Sequence, residues 1–329
     1  MYSITELNSA ALPELPGAAG WADRRASIDR VWREYVGTLP DLISPSYQVI
    51  ETSELDGVEL QRIRYVAPGD EVSAYLLTPP GAPQQRPAVL ALHQTADIGK
   101  DEVIGKGRKT LKYGIELAQR GYVVLAPDTV TRGERIHPGD KPHDSTRFYA
   151  DNPGWTTVGR MVTDHRQGIS LLQSLPSVDP SRIGAIGHSL GGYNSFFLAG
   201  LDERIGATVC SCGLGVFAQD PTPERWCRDD FFNHIPRIRE DLDAGVVPWE
   251  WHEILALVAP RPMFIWWTRN DDCFPNAAAL EAAVDSVHRL YDDLGAGPAL
   301  QSLAGDGEHD FPQEARTAAY RFLDDNLGY

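Results

Sequence analysis

Arg182-Ile183-Gly184-Ala185-Ile186-Gly187-His188-Ser189-Leu190-Gly191-Gly192 is the stretch that decides the fold of this chain. It starts as a short apolar strand, turns sharply at a serine, and opens a helix carrying Tyr193, Phe196 and Phe197 before Gly200. The turn has the form G-x-S-x-G, which holds a serine at the tip of a strained strand-to-helix connection. Glycines two residues before and after the serine let strand and helix approach closely. The helix start points its free N–H groups, and the positive end of its dipole, toward whatever reacts there.

Outward from this turn, the chain from Pro87 alternates apolar strands with helical runs. Ala88–Leu92, Tyr122–Ala126, Ile205–Cys210, Pro262–Trp267 and Ala299–Leu303 are the expected strands. Leu111–Arg120, Val158–Leu175, Ala277–Leu294 and Pro312–Leu327 are the expected helices, several with one apolar face. Strands apolar on both faces and joined by helical crossovers predict an α/β fold, a mostly parallel sheet covered on both sides. Ahead of it, Val58–Val66 and Val72–Thr78 flank the turn Pro68-Gly69-Asp70 and predict antiparallel strands within 47–78. Residues 1–46 read as an N-terminal extension: a Pro- and Ala-rich surface stretch, then a helix from about Ala22 carrying Ile28, Val31, Trp32, Tyr35 and Val36, stopped by Gly37 and Pro40. Residues 47–329 form the main domain. Two stretches break the alternation: the polar 129–156, and 211–252 with Phe217, Trp226, Phe231, Phe232, Trp249 and Trp251. The second is expected to be a cap insertion over the site, since long insertions in compact domains are usually functional.

At 329 residues the chain can bury a large core. Its 46 acidic against 30 basic residues give a net charge of −16, which argues against nucleic acid or an anionic membrane as partner. The four cysteines, Cys210, Cys212, Cys227 and Cys273, show no zinc-like pairing and are expected to be reduced thiols. No basic region followed by an apolar core opens the chain, and no apolar run approaches a membrane span. A cytoplasmic location is expected.

A serine hydroxyl needs a base within hydrogen-bond reach, and the base needs a third group to hold its tautomer. The candidate base is His309, in the loop Gly305-Asp306-Gly307-Glu308-His309-Asp310-Phe311-Pro312 between the last strand and the last helix. His188 adjoins Ser189, but neighbours on a tight turn project differently. The candidate acid is Asp271 or Asp272, just beyond the strand Pro262–Trp267; periodicity does not separate them. The order Ser, Asp, His along the chain matches the strand–turn–helix serine motif rather than the chymotrypsin or subtilisin orders. An oxyanion hole needs preorganised N–H donors. Those of Leu190 and of Thr95, in the loop His93-Gln94-Thr95-Ala96, are the candidates. His93, Gln94, Trp226 and Trp249 are the candidate substrate-contacting residues, His93 ending a strand where it either lines or buttresses the site. No metal and no cofactor is expected; His252-Glu253 lacks the second histidine of an H-E-x-x-H site.

A wider set of residues carries a resemblance. It comprises Leu92-His93-Gln94-Thr95, Gly99-Lys100-Asp101-Glu102, Arg120 to Asp128, Gly133-Glu134-Arg135, Val178 to Gly184, the serine turn, Ala256 to Pro262, and His309-Asp310-Phe311-Pro312. Over roughly residues 47–329 the chain resembles the dienelactone-hydrolase and acetyl-xylan-esterase-like branch of the α/β-hydrolase superfamily, which shades into prolyl-oligopeptidase-type catalytic domains. The resemblance implies the α/β-hydrolase fold and a metal-independent serine hydrolase acting on a small carboxylic ester through an acyl-enzyme. It also favours Asp271, four residues before Pro275, as the acid. Gln94 stands where a glycine is usual, and Thr268 replaces the usual glycine before the acid segment. A peptidase of the prolyl-oligopeptidase type is the enzymatic rival, and a non-catalytic binding protein the other. No blade-like repeats favour the first, and the complete Ser–His–Asp set disfavours the second. The ring-walled insertion predicts short acyl esters over long-chain lipids, and little activity on amides.

Overall fold

Nine strands form one sheet, and one of its interior strands delivers the serine turn, in a computed structural model that describes residues 1–9, 12–81 and 85–328. The chain enters through β1 (Tyr2–Ser3) and two helices, α1 (Ile4–Ser9) and α2 (Ala18–Val36), the latter ended by Gly37 at φ 83°. The opening residues do more than wrap the surface: β1 pairs antiparallel with β9 (Val246–Val247), from the far side of the sequence. An antiparallel run of β2 (Tyr47–Leu55), β3 (Val58–Ala67) and β4 (Asp70–Thr78) follows. β2 is the exposed edge, and its Glu51 and Glu54 discourage pairing with another sheet.

From β5 (Arg86–Leu92) the alternation begins. It runs through α3 (Tyr113–Gln119), β6 (Val123–Pro127), α4 (Thr146–Asp151), α5 (Thr157–Ser174), β7 (Val178–His188), α6 (Leu190–Leu201) and β8 (Ala207–Ser211). After the insertion, which contains α7 (Ile238–Asp243), β9 and α8 (Trp251–Ala256), the chain closes with β10 (Met263–Thr268), α9 (Ala277–Asp293), β11 (Leu300–Gly305) and α10 (Gln313–Leu327). The sheet order is β11-β10-β8-β7-β5-β6-β4-β3-β2. β11, β10, β8, β7, β5 and β6 run parallel, and β4 joins β6 antiparallel. β6 and β10 are buried along their whole length, which is why they appear in the sequence as unbroken apolar runs.

Two cores flank the sheet. α2, α5, α6, α8 and α9 cover one face with Trp32, Met161, Phe197 and Trp251. α3 and α10 cover the other with Tyr113, Leu117, Phe322 and Leu323. The C-terminal ends of β5, β7, β8 and β10 therefore open at one rim, where ligands bind in parallel sheets.

Candidate active site

Ser189 sits between β7 and α6 at φ 53° and ψ −117°, a strained backbone for a residue with a Cβ. Its N–H donates to the Ser211 carbonyl at 2.8 Å, and its carbonyl accepts from Tyr193 N–H at 3.0 Å. Both framing glycines are required by space. A Cβ on Gly187 would strike the Gly191 backbone, and one on Gly191 would strike the carbonyl of Leu92 at the end of β5. Leu190 is the first residue of α6, so its N–H has no acceptor within the helix.

His309 enters from the loop after β11. Four contacts fix that loop: Trp266 Nε1 donates to the Asp310 carbonyl at 2.8 Å, Thr110 Oγ1 to the Asp310 carboxylate at 2.6 Å, Asn270 Nδ2 to the Asp306 carbonyl at 2.6 Å, and Thr268 Oγ1 to the Glu308 carbonyl at 3.4 Å. The threonine at the usual glycine position thus ties the strand end to the histidine loop. His309 Nδ1 lies 2.8 and 2.9 Å from the two carboxylate oxygens of Asp271. Asp271 is buried, and its Oδ1 also accepts the N–H groups of Cys273 (2.8 Å) and Phe274 (2.9 Å). Asp272 instead faces the cleft, exposed. Burial alone would lower the His309 pKa, but the Asp271 hydrogen bond, joined by Cys273, outweighs it and lifts the ring to about 9. His309 Nε2 has no hydrogen-bond partner among the described residues, and the ring shares a cleft with Ser189. His188 turns the other way. It meets Ser211 Oγ at 2.9 Å and packs on the rings of His309 and Phe311, and burial holds it well below its ordinary pKa.

The loop after β5 is built on His93, which is wholly buried and so corrects the expectation that it contacts substrate. Its Nε2 accepts the Thr129 N–H at 3.1 Å, which leaves Nδ1 as the donor to the Gln94 carbonyl at 2.6 Å. Burial pushes its pKa down to about 3, so the ring is a fixed neutral strut under Gln94 and Thr95. Gln94 and Thr95 both line the cleft.

That cleft, of about 440 Å³, is also bounded by Arg108, Tyr193, Trp226, Phe231, His234 and Phe274. Residues 225–234 of the insertion thus supply one wall. Trp249 does not. It is buried edge-on against Trp32 (ring centroids 5.2 Å apart) and Tyr35 (4.9 Å) of α2, so its assignment as a substrate contact is corrected to a core role. Arg225 is engaged by Asp220 at 2.8 and 3.0 Å and Arg228 by Asp230 at 2.9 and 3.1 Å, so neither is a free cationic clamp. Sequence reasoning missed Tyr193 and His234, whose side chains meet at 2.6 Å in the cleft wall. Tyr193 lies one helical turn beyond Ser189, and that spacing is the signal that could have found it.

Several residues of the resembling motifs hold the rim rather than the reaction. Lys100 Nζ pairs with Asp128 at 2.6 Å and Glu134 at 2.8 Å, and Asp128 also accepts the N–H groups of Lys100 (2.8 Å) and Glu134 (3.1 Å). Gly99 and Gly133, both at φ 54°, leave room for that carboxylate, which a Cβ on either would strike.

The sheet, the glycine-framed serine and the rim loops define an α/β-hydrolase fold. Residues 72–226 match the family model described as Dienelactone hydrolase family. The chain is similar to "Putative hydrolase YtaP" of Bacillus subtilis (strain 168), 27% identical over 308 residues, covering 92% of this chain and 98% of that protein. Among solved structures it resembles a glucuronoyl esterase from Solibacter usitatus, with TM-score 0.74 and 16% identity, covering 96% of this chain and 98% of that one. It also resembles a promiscuous CE15 esterase from a marine bacterial metagenome, with TM-score 0.72 and 18% identity, covering 99% of each chain. Identities at that level speak for the fold. No helix among the described residues is long and apolar enough to cross a membrane.

Proposed function

We propose that the protein is a serine carboxylic-ester hydrolase in which Ser189 is the nucleophile, His309 the general base and acid, and Asp271 the group that orients His309. The observation that carries this is the ring of His309. Its Nδ1 is held by a buried carboxylate, while its unpartnered Nε2 belongs to a ring that shares a cleft with Ser189. Ser189 Oγ attacks the ester carbonyl as its proton passes to Nε2. The Asp271 carboxylate stabilises the imidazolium that results. The oxyanion is taken by the N–H groups of Leu190 and Thr95, and collapse expels the alcohol with the proton from Nε2. Water then repeats the sequence on the acyl-enzyme. The scheme uses no metal and no cofactor.

The substrate is a small ester. A cleft of about 440 Å³ mixing Trp226, Phe231 and Phe274 with Gln94, Thr95 and Arg108 suits a short acyl group on a partly polar alcohol. Similarity to structures described as a glucuronoyl esterase and a putative acetyl xylan esterase supports an ester as the substrate. A cytoplasmic setting agrees with four free cysteines, three of them buried. A fluorophosphonate probe tests the nucleophile. It should label the native protein and leave Ser189→Ala unlabelled; labelling that persists in the variant would refute the assignment.

A further inference from the structure

Beside the proposed base and its orienting carboxylate lies a buried thiol that the reaction does not use. Cys212 Sγ, an Asp271 carboxylate oxygen and a His309 ring nitrogen lie within 4.8 Å of one another. Cys212 follows β8 at φ 41°, is buried, and aims its Sγ at the Asp310 carbonyl at 3.6 Å, a weak partner. The other two are held in place: Asp271 by the N–H groups of Cys273 and Phe274, and the His309 loop by Trp266 and Thr110. One sulfur, one nitrogen and one oxygen is a set that zinc accepts, with a fourth position left for water. Tetrahedral zinc places its ligand atoms about 3.5 Å apart, so closure needs side-chain shifts of only about 1 Å.

We propose that Cys212, Asp271 and His309 form an inhibitory site for a thiophilic divalent cation of the zinc class. The inference rests on the reading of His309 as the base. Bonds form from the metal to Cys212 Sγ, to an Asp271 oxygen and to His309 Nδ1. The thiol proton leaves to solvent, and the proton on Nδ1 passes through solvent to Nε2, so that the neutral ring, metal-bound at Nδ1, carries its one proton on Nε2. No electron is transferred. A ring protonated at Nε2 cannot accept the Ser189 proton, so turnover stops. Magnesium and calcium, which favour oxygen ligands, should not occupy such a site.

Two measurements separate the site from the reading beneath it. In the first, zinc should inhibit ester hydrolysis reversibly, with activity restored by a chelator and magnesium without effect. Cys212→Ala should keep wild-type kinetics without metal and need on the order of 100-fold more zinc for half inhibition, at least what the loss of a ligand's supporting partner costs. Cys212→Ser, which keeps the side-chain size, replaces it if the alanine variant does not fold. Equal zinc sensitivity in wild type and variant would overturn the proposal. In the second, cobalt(II) is added to the inactive double variant Ser189→Ala/Cys273→Ala, which retains all three ligands. A thiolate-to-cobalt absorption band should appear and should vanish when Cys212→Ala is added. The band without any esterase activity in the native protein would keep the site and remove the inhibitory reading. A band indifferent to Cys212 would remove the site itself.

Discussion

Trp226 and Trp249 occupy one insertion, are equally buried, and belong to the same nest of rings around Trp251. Trp226 nevertheless borders the cleft beside Tyr193, whereas Trp249 is shut in by Trp32 and Tyr35 from the N-terminal helix. The difference extends to their neighbours. On the Trp249 side, Glu250 accepts the N–H groups of Phe217 (2.7 Å), Ala218 (2.9 Å) and Trp251 (2.7 Å), and Glu253 is engaged by Tyr2 and Arg24. On the Trp226 side, Phe231 stands 38% exposed with Arg228 over its face. An aromatic residue is assigned to substrate or to core by the element that closes over it, and here that element comes from the opposite end of the chain.

The comparison has a functional side only if the cleft beside Trp226 is where the reaction occurs. The largest expected effect therefore belongs to Ser189→Ala and His309→Ala, each lowering kcat on an activated ester by as much as ~10⁶-fold. Because the two act as a unit, the double variant should be no worse than either alone. Additive losses would show that they work separately.

Next in size is Asp271→Asn, expected to cost about 10⁴-fold in kcat with the fold intact, because an amide favours the wrong imidazole tautomer. Asp272→Asn, at an exposed cleft-side position, should cost far less. The pH profile carries the sign. His309 must be neutral to accept a proton, and its pKa is raised to about 9, so kcat/KM should climb with pH along a limb displaced upward from the ordinary 6.5. Removing the Asp271 charge should move the residual limb down. A native limb at or below 6.5 would mean that His309 is not the group being titrated.

Much of this site was legible because a few steric facts leave little choice. Gly187 and Gly191 frame the serine since any side chain there collides with backbone, and that necessity is visible as G-x-S-x-G. His309 was legible from its place between the last strand and the last helix. The choice of Asp271 over Asp272 was not open to periodicity, because two adjacent carboxylates differ only in which one the Cys273 and Phe274 N–H groups turn inward. Whether His93 lines or buttresses the site was not legible, because the tautomer that makes it a strut depends on the Thr129 N–H, which a neighbouring strand end supplies. Trp249 was misjudged for the same kind of reason: its partner Trp32 is remote in sequence, and composition carries no trace of that meeting.

Trp249→Ala sharpens the core half of the comparison. Deleting a fully enclosed tryptophan should cost about 3–5 kcal/mol of stability, read as a lower midpoint in denaturant at unchanged slope. Below its melting temperature the variant should keep native kcat and KM across a panel of esters. A shift in alcohol preference without loss of stability would return Trp249 to the substrate side.

Phe231→Ala is the smallest expected effect and the most discriminating, because a half-exposed ring has little stability to lose. Its ring contacts are the His143 ring at 4.8 Å and the Arg228 guanidinium at 5.2 Å, and the rest of its face is open to solvent. Stability should therefore change by no more than about 0.5 kcal/mol, the scale of a surface substitution. A substrate that covers the exposed part of the ring would contribute about 1 kcal/mol of burial, which corresponds to a KM roughly fivefold higher in the variant. The rise should appear with bulky aryl or sugar alcohols and be absent for methyl esters, whose alcohol is too short to reach the cleft mouth. Since uniform binding is removed and the reacting atoms are untouched, kcat should stay within about twofold. If KM is unchanged for every alcohol, the exposed ring lies outside the substrate's footprint. The recognition side of the insertion would then shrink to Trp226 and the Tyr193–His234 pair.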